Sequence, residues 1–237
     1  MKSRFVSIVV FGKETNLDTF ATFDNIFKAL ACISDLKYEC ILIDDGSEEP
    51  LKNFLPKDFQ SRIRISVHEE SLGIGDCLLT ACNLAIYDSI LFVPGHNFFS
   101  IEAIRRALTL VDIEPVILGA RIGNGARPRI KKISSVVFRN ILRLSTSRFI
   151  LDPHGLPGYP KKLILEALPP GANHALHVYI LREVHRRKLS LVQFQAPINP
   201  NYTDSLRASR LNYMNYFKNV WSVLKILLRR SRSKGYS

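Results

Sequence analysis

Apolar residues recur along the N-terminal half of the chain in two rhythms. Residues 5–11 and 38–43 are dense in Val, Ile and Leu, the composition of strands covered on both faces. Between them, residues 17–33 carry apolar side chains at helical spacing, so this stretch predicts a β-α-β unit. The alternation continues with a strand over 62–67, a helix over 74–86, a strand over 89–93, a helix over 101–110 and a strand over 115–118. That order predicts an α/β fold built on a Rossmann-like, mostly parallel sheet with helices on both faces. Ligands of such sheets gather outside the carboxyl ends of the strands, which puts Phe11, Asp44 and Pro94 around one crevice. No internal repeat interrupts the pattern.

Composition adds an appendage to this picture. A chain of 237 residues with 46% apolar content can bury one sizeable core, and we expect a globular domain over 1–211 followed by an extension over 212–237. The formal charge of +12 is concentrated late: residues 205–237 hold eight Lys or Arg and no Asp or Glu, leaving +4 on the rest. Cys32, Cys40, Cys77 and Cys82 lack the paired spacing of a zinc site and lie in apolar runs. They predict buried, reduced thiols in a cytosol-facing protein. The apolar stretch near the N-terminus is too short for a signal peptide, and no run reaches the roughly 18 to 20 residues of a spanning helix.

The chemistry concentrates in ILIDDGSEEP, residues 41–50, where an apolar strand ends in two carboxylates, a glycine and a serine. A carboxylate at a strand end can accept hydrogen bonds from a nucleobase imide or ribose hydroxyls, while Gly46 lets the chain turn and leaves room for a ligand. The same residue types also build ordinary turns. Downstream, SLGIGDCLLTACNLA (71–85) opens a helix with Gly73 and Gly75. Its exposed N–H groups suit phosphate, or the two glycines serve a tight turn before the helix. DSILFV (88–93) then supplies another strand.

These three segments, with VSIVVFG (6–12) before them, resemble in order the nucleotide-sugar half of an inverting family-two glycosyltransferase of the GT-A fold, over residues 5–211. The resemblance implies a UDP- or GDP-linked sugar donor, with Asp44 and Asp45 at the nucleoside and Glu14 and Phe11 beside them; the usual motif after the first strand is shortened here to FGKETNL. It also implies an Asp-x-Asp at the end of the fourth strand to hold Mg²⁺ or Mn²⁺, where this chain has Pro94, Gly95 and His96. Pro and Gly offer no side-chain oxygen to a hard cation. The expectation is therefore no metal held in the usual way, with His96 open to ligating a softer metal, donating to phosphate, or neither. Positive charge in its place is supplied by Arg121 and the Gly-rich loop 123–132, with Arg127, Arg129, Lys131 and Lys132; a solvated basic loop is the alternative.

Within the family, GAR (119–121), ISSVVFRNILRL (133–144), LDPHGLPGYPKK (151–162) and SLRASRL (205–211) are similar to motifs of the dolichyl- or polyprenyl-phosphate mannose and glucose synthases. By that resemblance Arg129 or Lys131 faces phosphate and Arg207 and Arg210 form the terminal basic pair, the Gly of that last motif being absent. A phosphate monoester is already anionic and attacks without a general base, which suits a chain whose one obvious base is Asp152. That residue is read either as a base or as a group that caps a turn or orients an arginine. Two basic amphipathic helices, over 134–150 and over 213–230 with Trp221, fit the headgroup region of an anionic membrane, or packing on the domain or on a second subunit.

Three functions follow. The first is transfer of a sugar to a polyprenyl phosphate at the cytoplasmic membrane face by a peripheral protein. The second is transfer to a sugar hydroxyl in polysaccharide or lipopolysaccharide assembly, with Asp152 as base. The third is a decayed transferase that binds a nucleotide, a membrane or a partner. The charge alone fits nucleic acid, but the acidic crevice and the absence of aromatic-basic RNA motifs exclude it as a partner.

Overall fold

The computed structural model describes residues 4–123 and 150–202, with Asn140 and Arg143 between them. Strand β1 (Arg4–Gly12) pairs in parallel with β2 (Leu36–Asp44) across helix α1 (Asn16–Leu30), the β-α-β unit read from the pattern. After a short helix α2 (Lys57–Gln60), β3 (Ile63–Val67) adds to β2, and α3 (Ile74–Leu84) leads to β4 (Ser89–Pro94) on the other side of β1, both pairings parallel. Helix α4 (Ile101–Leu110) follows, its first turn capped by Ser100, whose Oγ accepts from the Ala103 N–H at 3.2 Å. Then come β5 (Ile117–Ile122), β6 (Leu156–Pro160), α5 (Lys161–Ala167), α6 (Leu176–Arg186) and β7 (Val192–Pro197). Among the described residues the strands form one sheet in the order β3-β2-β1-β4-β6-β5-β7.

Strand periodicity divides the core. On one face Val6, Ile8 and Val10 of β1 join Leu42 and Leu91 beneath Phe23 and Ile26 of α1 and Ile104 and Leu108 of α4. On the other, Val9, Ile41 and Ile90 meet Leu78 of α3, Leu163 of α5 and Ile180 of α6. Both faces of the central strands are covered, which is why they read as unbroken apolar runs.

Two expectations need correction, and one strand was not expected. Helix α1 stops at Leu30, so Cys32 falls in the following turn and is exposed, unlike buried Cys40, Cys77 and Cys82. The fifth strand runs over Ile117–Ile122, because Gly119 lets it continue where a side chain would not fit: a Cβ there would meet the Phe194 ring at 2.8 Å. Strand β6, LPGYP, is antiparallel to both β4 and β5, and its two prolines and glycine disguise it as a loop. The sheet remains mostly parallel.

The expected helices over 134–150 and 213–230 fall, but for Asn140, Arg143 and Ile150, outside the described residues, as do Arg127, Arg129, Lys131, Lys132, Arg207 and Arg210. Among the described residues no helix is long and apolar enough to cross a membrane.

Candidate active site at the carboxyl ends of the central strands

The ends of β1, β2 and β4 are laced together by backbone. The Asp45 N–H donates to the Gly12 carbonyl at 2.9 Å and the Gly95 N–H to the Phe11 carbonyl at 2.7 Å. Above them opens a crevice of about 200 Å³ lined by Phe11, Gly12, Lys13, Thr15, Asp45, Ile74, Cys77 and His96. Three of the expected residues, Phe11, Asp45 and His96, therefore meet in one place from three different strands. The Phe11 ring is stacked on Phe92 with centroids 4.2 Å apart, and the His96 ring lies 5.6 Å from both Phe98 and Tyr202.

The two carboxylates of the DDGS turn do different work. Asp44 is wholly buried; it accepts from the Ser47 N–H at 3.0 Å and the Leu51 N–H at 2.8 Å, holding the chain in its turn after β2. Of its two sequence readings, the turn is the one with visible bonds. Asp45 reaches the other way, accepting from the Ser71 hydroxyl at 2.8 Å, the Leu72 N–H at 2.9 Å and the Gly73 N–H at 3.0 Å, and lying 3.0 Å from His68 Nδ1. Burial raises the Asp45 pKa, but the bonds from His68, Ser71, Leu72 and Gly73 outweigh it and hold the carboxyl below its ordinary range.

Asp45 thus occupies the helix start that Gly73 and Gly75 were expected to offer to phosphate. Gly73 has φ +95°, and a Cβ on it would fall 1.9 Å from Asn173 Oδ1, while one on Gly75 would fall 2.7 Å from the Asn173 N. The glycines serve the tight turn and close packing, the second of their two readings. Gly46, at φ +73°, lets the β2 turn approach the backbone of Glu70, and Gly95 backs the crevice against β1. Glu14 is exposed beside the crevice wall; its N–H donates to Ser47 Oγ at 3.0 Å and its carboxylate accepts from the Glu48 N–H at 2.8 Å, tying the β1 and β2 loops together.

Arg121, at the end of β5, grips Asp152 through both Nε and Nη2, the latter 2.7 Å from Oδ1. The same carboxylate accepts from the His154 N–H at 3.2 Å. Burial raises its pKa, and the Arg121 hydrogen bonds and charge bring it below the ordinary value. Asp152 therefore orients an arginine, one of the two roles expected of it. The guanidinium lies 5.8 Å from the Phe98 ring, one aromatic ring removed from His96.

The donor set does not suit Mg²⁺ or Mn²⁺ at the end of β4, where Pro94 and Gly95 carry no ligand and His96 is packed among aromatic rings. A second group, Asp45, His68 and Cys77, brings one oxygen, one nitrogen and one sulfur within 4.8 Å of one another. Its members are already engaged: His68 bridges Asp45 and the Thr80 hydroxyl, 3.0 Å from each, and burial, with the Asp45 charge behind it, pushes the Cys77 thiol far up. It is a hydrogen-bonded cluster holding α3 to the DDGS turn, and a thiol is a poor ligand for a hard cation. Burial likewise pushes Cys40 and Cys82 up to about 12, so these are inert core thiols.

Lys13, Thr15, Ile74 and Cys77 line the crevice without having been singled out for it. Lys13 follows β1 directly and was legible from its place at a strand end; the others reach the crevice only through the packing of α1 and α3.

The comparisons accord with this geometry. No curated protein sequence matches the chain. Among solved structures, mannosyl-3-phosphoglycerate synthase from Rubrobacter xylanophilus superposes with a TM-score of 0.66 at 14% identity, covering 99% of this chain and 79% of that one. Glucosyl-3-phosphoglycerate synthase from Mycobacterium tuberculosis, in complex with Mn²⁺, UDP-glucose and phosphoglyceric acid, gives 0.65 at 16% identity, covering 98% and 83%. At such identities the likeness is one of fold. The profile of glycosyl transferase family 2 matches residues 8–165, which takes in the DDGS turn, the crevice and the Arg121–Asp152 pair, and the chain accordingly belongs to that family, a glycosyltransferase of the GT-A fold.

Proposed function

We propose that the protein is an inverting transferase that moves a sugar from a UDP- or GDP-linked donor to a polyprenyl phosphate at the cytoplasmic face of a membrane. The observation that carries the choice of acceptor is the engagement of Asp152 by Arg121. The carboxylate best placed by sequence to serve as a base is held ionised below its ordinary range, which makes it a weak proton acceptor. A phosphate monoester needs none. One of its anionic oxygens forms the new bond to the anomeric carbon from the face opposite the diphosphate, as the bond to the diphosphate oxygen breaks and that oxygen keeps the electron pair; no proton moves. The eight basic residues of 205–237, with no acidic ones, favour an anionic lipid surface as the place of encounter.

A second reading is favoured by the similar structures, whose names give phosphoglycerate as acceptor. That acceptor is also phosphorylated, so both readings ask for a cationic acceptor site.

Calorimetric titration with a panel of UDP- and GDP-sugars, with and without Mn²⁺, followed by transfer of labelled sugar, tests the proposal. We expect saturable binding of one donor and label in polyprenyl phosphate presented in anionic vesicles. Label in 3-phosphoglycerate instead would establish the second reading. Failure to bind any donor would overturn both and leave a decayed transferase that binds a membrane or partner.

A further inference from the structure

We propose that Lys13 supplies the positive charge that the donor diphosphate requires, in the place where a carboxylate-held divalent cation does not fit; this rests on the nucleotide-sugar reading above. Lys13 is the one Lys or Arg among the described residues lining the crevice. It follows β1 immediately, between Gly12 and Thr15, so the sheet delivers its stem to the carboxyl-end rim.

The neighbouring charges are committed elsewhere. Asp45, in the same crevice, takes hydrogen bonds from Ser71, Leu72 and Gly73 and contacts His68. The Glu14 carboxylate accepts from Glu48, and Arg121 is held by Asp152. Among the described residues no carboxylate forms an ion pair with Lys13. An exposed ammonium on a flexible stem at the edge of this crevice can follow a diphosphate. It would also meet the charge that appears on the leaving oxygen when the bond to the anomeric carbon breaks.

The test is calorimetric titration of the full chain with UDP and GDP, and with uridine and guanosine, in EDTA and again in Mn²⁺. Wild type, Lys13→Ala and Lys13→Arg are compared. Lys13 is exposed, and equal melting temperatures confirm that the variants fold. In EDTA the wild type is expected to bind one diphosphate. Lys13→Ala should bind it about ten- to a hundredfold more weakly, the effect of losing one charge-assisted contact, with nucleoside affinity within about twofold. Lys13→Arg should recover most of the loss.

Undiminished diphosphate binding by Lys13→Ala overturns the proposal, as does an equal loss for nucleoside and diphosphate, which a merely structural role would give. Diphosphate binding by the wild type only in Mn²⁺ overturns it too. All three leave the donor crevice standing. Binding of neither nucleosides nor diphosphates under any condition removes the nucleotide-sugar reading itself, and the role of Lys13 with it.

Discussion

Asp152 and Arg121 lie 31 positions apart in sequence and meet as a bidentate pair whose side chains are 15% and 16% exposed. Two half-dry charges in this arrangement lean on each other: removing one leaves its partner desolvated and unpaired. Arg121→Ala and Asp152→Ala are therefore expected to be strongly non-additive, with a coupling of about 1–3 kcal/mol in a urea-denaturation double-mutant cycle. Additivity within about 0.5 kcal/mol would mean that the pair is not formed in solution. The residue scale also explains why the DDGS turn had two readings. Asp44 and Asp45 are chemically identical and adjacent, yet strand alternation sends one into the turn and the other to the start of α3. No sequence pattern distinguishes a carboxylate that will be consumed by N–H groups of its own chain from one left for a ligand.

At the scale of elements, β6 packs so closely beside β5 that its lead-in admits no side chain. A Cβ on Gly155 would fall 1.7 Å from the Gly119 carbonyl oxygen, backbone against backbone, so the strands must separate to accommodate it. Gly171 is the internal control: φ is +71° but no atom lies within 4 Å of the added carbon. Gly171→Ala should cost about 1–2 kcal/mol, the left-handed strain alone, whereas Gly155→Ala should cost roughly 3 kcal/mol through overpacking. Urea midpoints of the two variants order them, and equal costs would contradict the close approach of β5 and β6. The early helices and strands were legible because each carries its own period; β6 was not, because its Pro and Gly are tolerated only by the strands on either side.

Across the whole molecule, Asp45, Asp152 and Glu183 are carboxyls held below their ordinary range and contribute to acid stability, and Glu183 lies away from the crevice. The hydrogen bond from Arg186 acts most strongly on Glu183 of α6; burial pushes upward next, and the Arg187 hydrogen bond with both guanidinium charges joins Arg186 in bringing the carboxyl from 4.5 down to about 2. A carboxylate depressed in the folded state stabilises fully above its unfolded value near 4.5, loses that contribution as pH falls through the window, and has none left below about 2. The difference in melting temperature between wild type and Glu183→Gln should accordingly be largest near neutral pH and close between about pH 4.5 and 2. A difference independent of pH would show that the ion pairs of α6 do not form in solution.

The sequence by itself determined the alternation of elements, the mostly parallel sheet and the absence of a carboxylate at the end of β4. These depend on local periodicity and residue identity, which need no partner to be read. Of Phe11, Asp44 and Pro94, which it put around the crevice, Phe11 lines it, and Asp45 and His96 stand there in place of the other two. Only the tertiary structure decided that Asp44 holds a turn, that Asp45 fills the start of α3 and that Asp152 answers to Arg121. Each of those outcomes depends on which hydrogen-bond donor or charge the fold brings within about 3 Å, a matter of distances between segments far apart in the chain.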